Sequence, residues 1–392
     1  MGALLFLTAC SGARGQRGLA SGGTSNNRPT APYADENSWL LQDVSILFPI
    51  PAMLPDMNAI RTSVSGAKGK LLPDFAGQAL PRLEFSLMQN EQVSQLQLIG
   101  LRVEADEIHL IWQIFRMSSI DGQQKIGAVD CAVHTFYRVD NQKLFLADLK
   151  KLAQLSRPDV NVSQALQVHP TLQAHGWNSQ YALGLKNLIL TWAGENNLFK
   201  VTFTQAPELA HWSFGGFLVE GMRAFPLEIP RIHTTENQLF VNSSSSLDFL
   251  AGLMGGNAPT GQDEFNRLLE DSSPTQVKTP SALEAAHFTA VKLENPRLGN
   301  PQTLDCASCH MAQMVKDWSE DKQPMLVQTS EGRFTSTGYN LNRVSADKIN
   351  TENMRAFGYF LNKPTITQRA INDTAYTAEQ FNAAGKLQDD GT

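Results

Sequence analysis

The residues whose types and spacing bear chemistry lie at Cys306-Ala307-Ser308-Cys309-His310. Two thiols three positions apart project to the same side of one helical turn, and an imidazole follows directly. Thiols so placed have three uses: disulfide exchange, a share of a zinc site, or anchoring of a metal-bearing ring through two thioethers with the imidazole offered to the metal. An exchange pair sits at the end of an apolar strand, whereas Asn300-Pro301-Gln302-Thr303-Leu304-Asp305 is polar and turn-like. Zinc takes about four ligands, and no second Cys-x-x-Cys or paired histidine lies nearby. The anchoring use is the one the surroundings favour.

Cys-x-x-Cys-His is the attachment sequence for c-type haem, and in this motif the chain resembles the c-type cytochromes. The resemblance implies one covalent haem c held by Cys306 and Cys309, with His310 as the proximal iron ligand. A closed iron passes electrons, while an open sixth position binds a substrate such as peroxide. No histidine follows His310, and Met311 and Met314 lie beside it or one turn away on the same face, so neither reaches the far side of a ring. Met354, in the range where the family carries its distal methionine, is the expected sixth ligand, with Met325 and His287 as alternatives. Phe357, Tyr359, Phe360 and Tyr376 are candidate pocket aromatics. His109, His134, His169, His175, His211 and His233 have no two-histidine metal spacing and read as structural, and Cys131 reads as an inert thiol in a strand.

The elements that must position the motif divide the chain in two. Residues 285–392 are expected to form a mainly helical, cytochrome c-like haem domain, with helices over Ser345 to Phe360 and Thr377 to Leu387. Residues 39–250 read as an α+β domain of unknown role containing an antiparallel sheet. Its expected strands are Ile108 to Ser119, Ile126 to Val139 and Leu144 to Leu146 as a meander, then Leu183 to Trp192 and Leu198 to Thr204. Between them, leucines at 149, 152 and 155 have helical spacing, and Val162 to His175 reads as a second short helix. Residues 251–284, rich in Ser, Gly, Asn and Pro, are expected as a linker, with one helix at Asp263 to Leu269.

The chain opens on an apolar run ending in Leu7-Thr8-Ala9-Cys10, which resembles a bacterial lipoprotein signal. That resemblance implies a signal peptide at 1–9, lipidation of Cys10 and a disordered tether over 10–38. It also places the protein in the bacterial cell envelope, and Ser11 after the cysteine fits outer-membrane sorting, facing the periplasm or the cell surface. At roughly 150 residues per domain, 392 residues allow two domains, and 42% hydrophobic with 18% charged residues is a globular composition. A net charge of -6 without a basic block argues against nucleic acid.

Together these features predict a membrane-anchored c-type cytochrome that transfers one electron to and from redox partner proteins. The alternatives are a haem enzyme such as a peroxidase, with an open sixth position, and an envelope binding lipoprotein whose haem is accessory or absent.

Overall fold

The computed structural model describes residues 38–56, 58–80, 93–104, 106–208, 211–242, 251–253, 279–345 and 354–389. Cys10, the tether up to residue 37 and the helix expected at 263–269 lie outside the described residues.

A nine-stranded sheet, antiparallel at every pairing, organises the chain. Its strands are β1 (Ser45–Leu47), β2 (Gln97–Val103), β3 (Glu107–Gln113), β4 (Cys131–Arg138), β5 (Leu198–Glu208), β6 (His211–Glu220), β7 (Arg223–Pro226), β8 (Gln238–Asn242) and β9 (Ala251–Leu253). Each lies beside its sequence neighbour, except that β7 and β8 share the outer edge of β6 end to end.

The two faces of the sheet have different work. On β3 and β4, Ile108, Leu110, Trp112, Val133, Thr135 and Tyr137 alternate with His109, His134, Phe136 and Arg138, the period-two pattern of pleated strands. The first set is buried with helices α1 (Gln142–Ser156) and α2 (Gln180–Trp192), which contribute Phe145, Leu149, Leu185 and Ile189 to the same core. Burying each such side chain contributes about 1.5–3 kcal/mol. Trp112 Nε1 donates to Thr135 Oγ1 at 2.8 Å, so the apolar face leaves its indole satisfied.

Three C-terminal helices follow: α3 (Pro280–Leu293), α4 (Cys306–Lys322) and α5 (Gln368–Asp389). α3 and α4 form a second apolar cluster with Trp212 and Phe214 of β6, while Ile371, Ala375 and Phe381 of α5 enter the main core beside Trp39 and Leu41. Trp39 N–H donates to Asn382 Oδ1 at 2.7 Å, and Tyr339 Oη donates to the Trp39 carbonyl. The main core thus draws residues from both sides of the linker expected at 251–284, and residue 285 falls inside α3.

Several local expectations are corrected. Leu183 to Trp192 is helix, not strand: Tyr181, Leu185, Leu188, Ile189 and Trp192 are buried at helical spacing, and the Ser179 hydroxyl caps the start by accepting from Ala182 N–H. Leu144 to Leu146 is also helical, because Asn141 caps α1 where a hairpin turn was expected. Ile108 to Ser119 and Ile126 to Val139 are each broken. Phe115–Ile120 and Gln123–Ala128 form a separate hairpin, with Asp121 and Gly122 both at positive φ (52° and 72°), as a tight two-residue turn requires. Of Val162 to His175, only Pro170–His175 is helical. Residues 357–360, expected to end a helix, are a strand paired with Lys363–Ile366. Thr377, expected as a cap, is interior to α5. The fold is mixed α and β with a large antiparallel sheet, as the sequence implied. No described helix is long and apolar enough to cross a membrane.

Candidate functional site

The motif begins α4. Asp305 is the N-cap: its Oδ2 accepts from Ser308 N–H at 3.0 Å, satisfying one of the donors that a helix start leaves unpaired. Gln238, fully buried on β8, clamps the same turn, donating from Nε2 to Asp305 Oδ2 and accepting from Ala307 N–H, both at 2.8 Å. The sheet thus fixes the turn that carries the two cysteines.

Cys306, Cys309 and His310 all open on one cavity of about 620 Å³. This lies within the range of small-molecule and cofactor sites, roughly 300–1,000 Å³. One wall is α4 with the preceding Pro301-to-Asp305 turn, joined by Ala356 and by Arg369, Ala370 and Asp373 of α5. The other wall is the second face of the sheet. Arg102, His109, Phe136, Lys200 and Leu218 stand directly opposite one another in a row across β2 to β6, and all five line the cavity. In the adjoining row His134 faces Thr202, which faces Gly216. A Cβ at Gly216 would lie 2.5 Å from the Val201 carbonyl oxygen, so close strand packing requires glycine there.

His310 is held from both sides. Its Nδ1 donates to the Met354 carbonyl at 2.6 Å, and its ring lies 4.9 Å from that of Phe214. With Nδ1 donating, the lone pair of the neutral ring is on Nε2, the arrangement usual for a histidine that binds a metal. Burial lowers the His310 imidazole below its ordinary range, against the opposing pull of the Met354 carbonyl. Burial first, then His310 and Arg102, lowers His134 to about 3. Burial, then His134 and the nearby cations, holds His109 well below its usual value. All three rings are neutral at pH 7.

The cysteines are free thiols. Burial, then Asp305 and Cys309, pushes Cys306 up to about 12, and burial also raises Cys309. Disulfide exchange needs a thiolate, so this environment disfavours it. The cavity lining also carries charge of both signs, from Arg102, Arg138, Lys200 and Arg369 and from Glu104, Asp106, Glu107 and Asp373. Burial, then Glu104, pushes Glu107 up to about 7.

Met354 presents its carbonyl to His310 Nδ1, and its buried side chain packs with Met311 and Met314 in the second apolar cluster. Met325 is 78% exposed. His287 is buried with Nε2 bonded to Glu320 at 3.0 Å and Nδ1 to Thr329 at 3.3 Å. None of the three lines the cavity, nor do Phe357, Tyr359, Phe360 or Tyr376; its aromatics are Phe136, Phe199, Phe203 and Phe214. The chain after His310 therefore does not enclose the site by itself. His109 and His134, which the sequence reads as structural, also line the cavity, and the sequence signal for this is their place on the more polar side of alternating strands. Among the described residues no cluster of three or more His, Cys, Asp or Glu side chains forms a ready metal site. Cys131 is buried and is not among the residues that line the cavity.

No protein-family model, no curated protein and no solved structure matches the chain.

Proposed function

We propose that this protein is a c-type haem protein of the bacterial cell envelope, anchored by a lipid on Cys10, whose activity is one-electron transfer. The observation that carries the reading is that Cys306, Cys309 and His310 face one cofactor-sized cavity, with His310 Nδ1 tied to a backbone carbonyl. In this reading the haem is held by thioethers to Cys306 and Cys309, and its iron supplies the one-electron couple.

This chain's own residues do the rest. Asp305 and Gln238 hold the first turn of α4, so that both sulfurs keep a fixed offset from the imidazole. The Met354 carbonyl fixes the ring orientation of His310 and increases its basicity as a ligand. Phe136, Phe199, Phe203 and Phe214 exclude water, and burial of this kind is one determinant of redox potential. Arg102, Arg138, Lys200 and Arg369 supply cations for the carboxylate substituents of the ring. The cytochrome c-like character is confined to the motif, since the wall facing it belongs to the sheet.

The test is a haem stain of a denaturing gel after expression in cells that mature c-type cytochromes. A stained band that disappears in the Cys306→Ser/Cys309→Ser double variant supports the reading. A colourless wild-type band refutes it.

A further inference from the structure

Met354, Met325 and His287 do not line the cavity, so a second ligand for a haem iron held there would come from another residue. Outside the motif, the side chains lining the cavity include two imidazoles, His109 and His134, and no methionine. Both come from the sheet, the wall that faces α4.

We propose that His134 is the second axial ligand of the haem iron and that His109 is its positioning residue; this rests on the haem reading above. The two rings are diagonal neighbours on adjacent strands, since His109 pairs with Phe136 and Ile111 with His134. That register brings His109 Nε2 within 2.7 Å of His134 Nδ1. When His134 donates this bond, its Nε2 carries the lone pair, matching the state of His310 Nε2 on α4. His109 serves as the support. Its Nε2 is taken by His134, and its ring is stacked on Phe136 at 4.2 Å with an interplanar angle of 16°. Its backbone is fixed between Arg102 on β2 and Phe136 on β4.

The placement bears on function. β4 is an interior strand, bonded to β3 and β5, so a ligand borne on it moves little. Imidazoles offered from rigid elements on both walls would leave a bound haem iron no open position, which would favour electron transfer over binding of an exogenous substrate. Neither histidine could have been chosen by spacing from the motif, because the proposal depends on the sheet lying across the cavity.

The test uses the matured full-length holoprotein, with visible and electron paramagnetic resonance spectra in both oxidation states. The wild type is expected to be low spin. His134→Gly should retain covalent haem, become high spin, and return to low spin on addition of imidazole. His134→Met, which fills the site, should stay low spin with a higher reduction potential, the direction expected for a methionine–histidine pair. His109→Phe should shift the potential while His109→Gln largely preserves it, and Met354→Leu should remain low spin. A wild type that is high spin, or a His134→Gly variant that keeps the wild-type low-spin spectrum, overturns the assignment while the stained band leaves the haem reading intact. A wild type without covalent haem overturns both.

Discussion

Replacing Gln238 with Leu tests whether the sheet positions the motif helix. The substitution roughly keeps side-chain volume while removing two buried hydrogen bonds of 2.8 Å, one donated to Asp305 Oδ2 and one accepted from Ala307 N–H. The loss at Asp305 is charge-assisted, about 1.5–3 kcal/mol, and a buried amide left without a partner costs about 1–3 kcal/mol. The added apolar surface returns about 1 kcal/mol, judged from the worth of a buried methylene. The net expectation is a destabilisation of about 3 kcal/mol, since the two losses share one turn and do not fully add. Asp305→Asn keeps an acceptor at the N-cap and should cost about 1 kcal/mol or less. Urea unfolding followed by circular dichroism gives both values, and the Gln238–Asp305 double-mutant cycle should return a coupling above about 1 kcal/mol. If Gln238→Leu unfolds within about 0.5 kcal/mol of wild type, or the coupling vanishes, the clamp does not order this turn.

Two further outcomes are expected away from the cavity. Lys316 and Glu294 form an ion pair at 2.9 Å with both side chains buried. Lys316→Met should therefore cost about 3–5 kcal/mol by stranding the carboxylate, with most of the loss recovered in Lys316→Met/Glu294→Leu; thermal melts showing an unimpaired single variant would contradict this. His169 is fully buried, stacks on Tyr181 at 4.4 Å, and has no hydrogen-bond partner at either ring nitrogen. Burial lowers it to about 3, partly opposed by Asp159. A depressed histidine leaves stability unaffected above its unfolded value near 6.5, because both states are then neutral. As pH falls from about 6.5 towards 3, the unfolded chain takes up a proton the folded chain refuses, and stability drops by about 1.4 kcal/mol per unit from this residue. His169→Phe should flatten that part of the acid profile in urea titrations between pH 7 and pH 5; identical slopes in the two proteins would rule it out.

Local order was legible where a single periodicity governed it. The alternation along Phe199 to Thr204 predicts a strand, and β5 contains it. The Asp121-Gly122 turn predicts a hairpin, and one forms there. Leu183 to Trp192 misled because a short apolar run fits a strand and a buried helix equally; the Ser179 cap and the burial of every third or fourth residue decide for helix. Residues 357–360 were drawn into an expected helix, yet Gln113 bonds to both the Tyr359 amide and its carbonyl, contacts 246 positions away in sequence.

The amino-acid sequence by itself placed two thiols and an imidazole within one helical turn, because that spacing spans only a few residues of chain. It also implied that residues 39–250 would contain an antiparallel sheet, and all but the last strand of the large sheet lies there. The tertiary structure alone decided what faces the motif. Strand pairing set His109 and His134 in contact, packing of α4 and α5 over the sheet's second face made the cavity, and the Met354 carbonyl came to accept from His310 Nδ1. Helical spacing is fixed within a few residues of chain, whereas the wall opposite a helix is chosen by long-range burial and strand register, which no local pattern encodes.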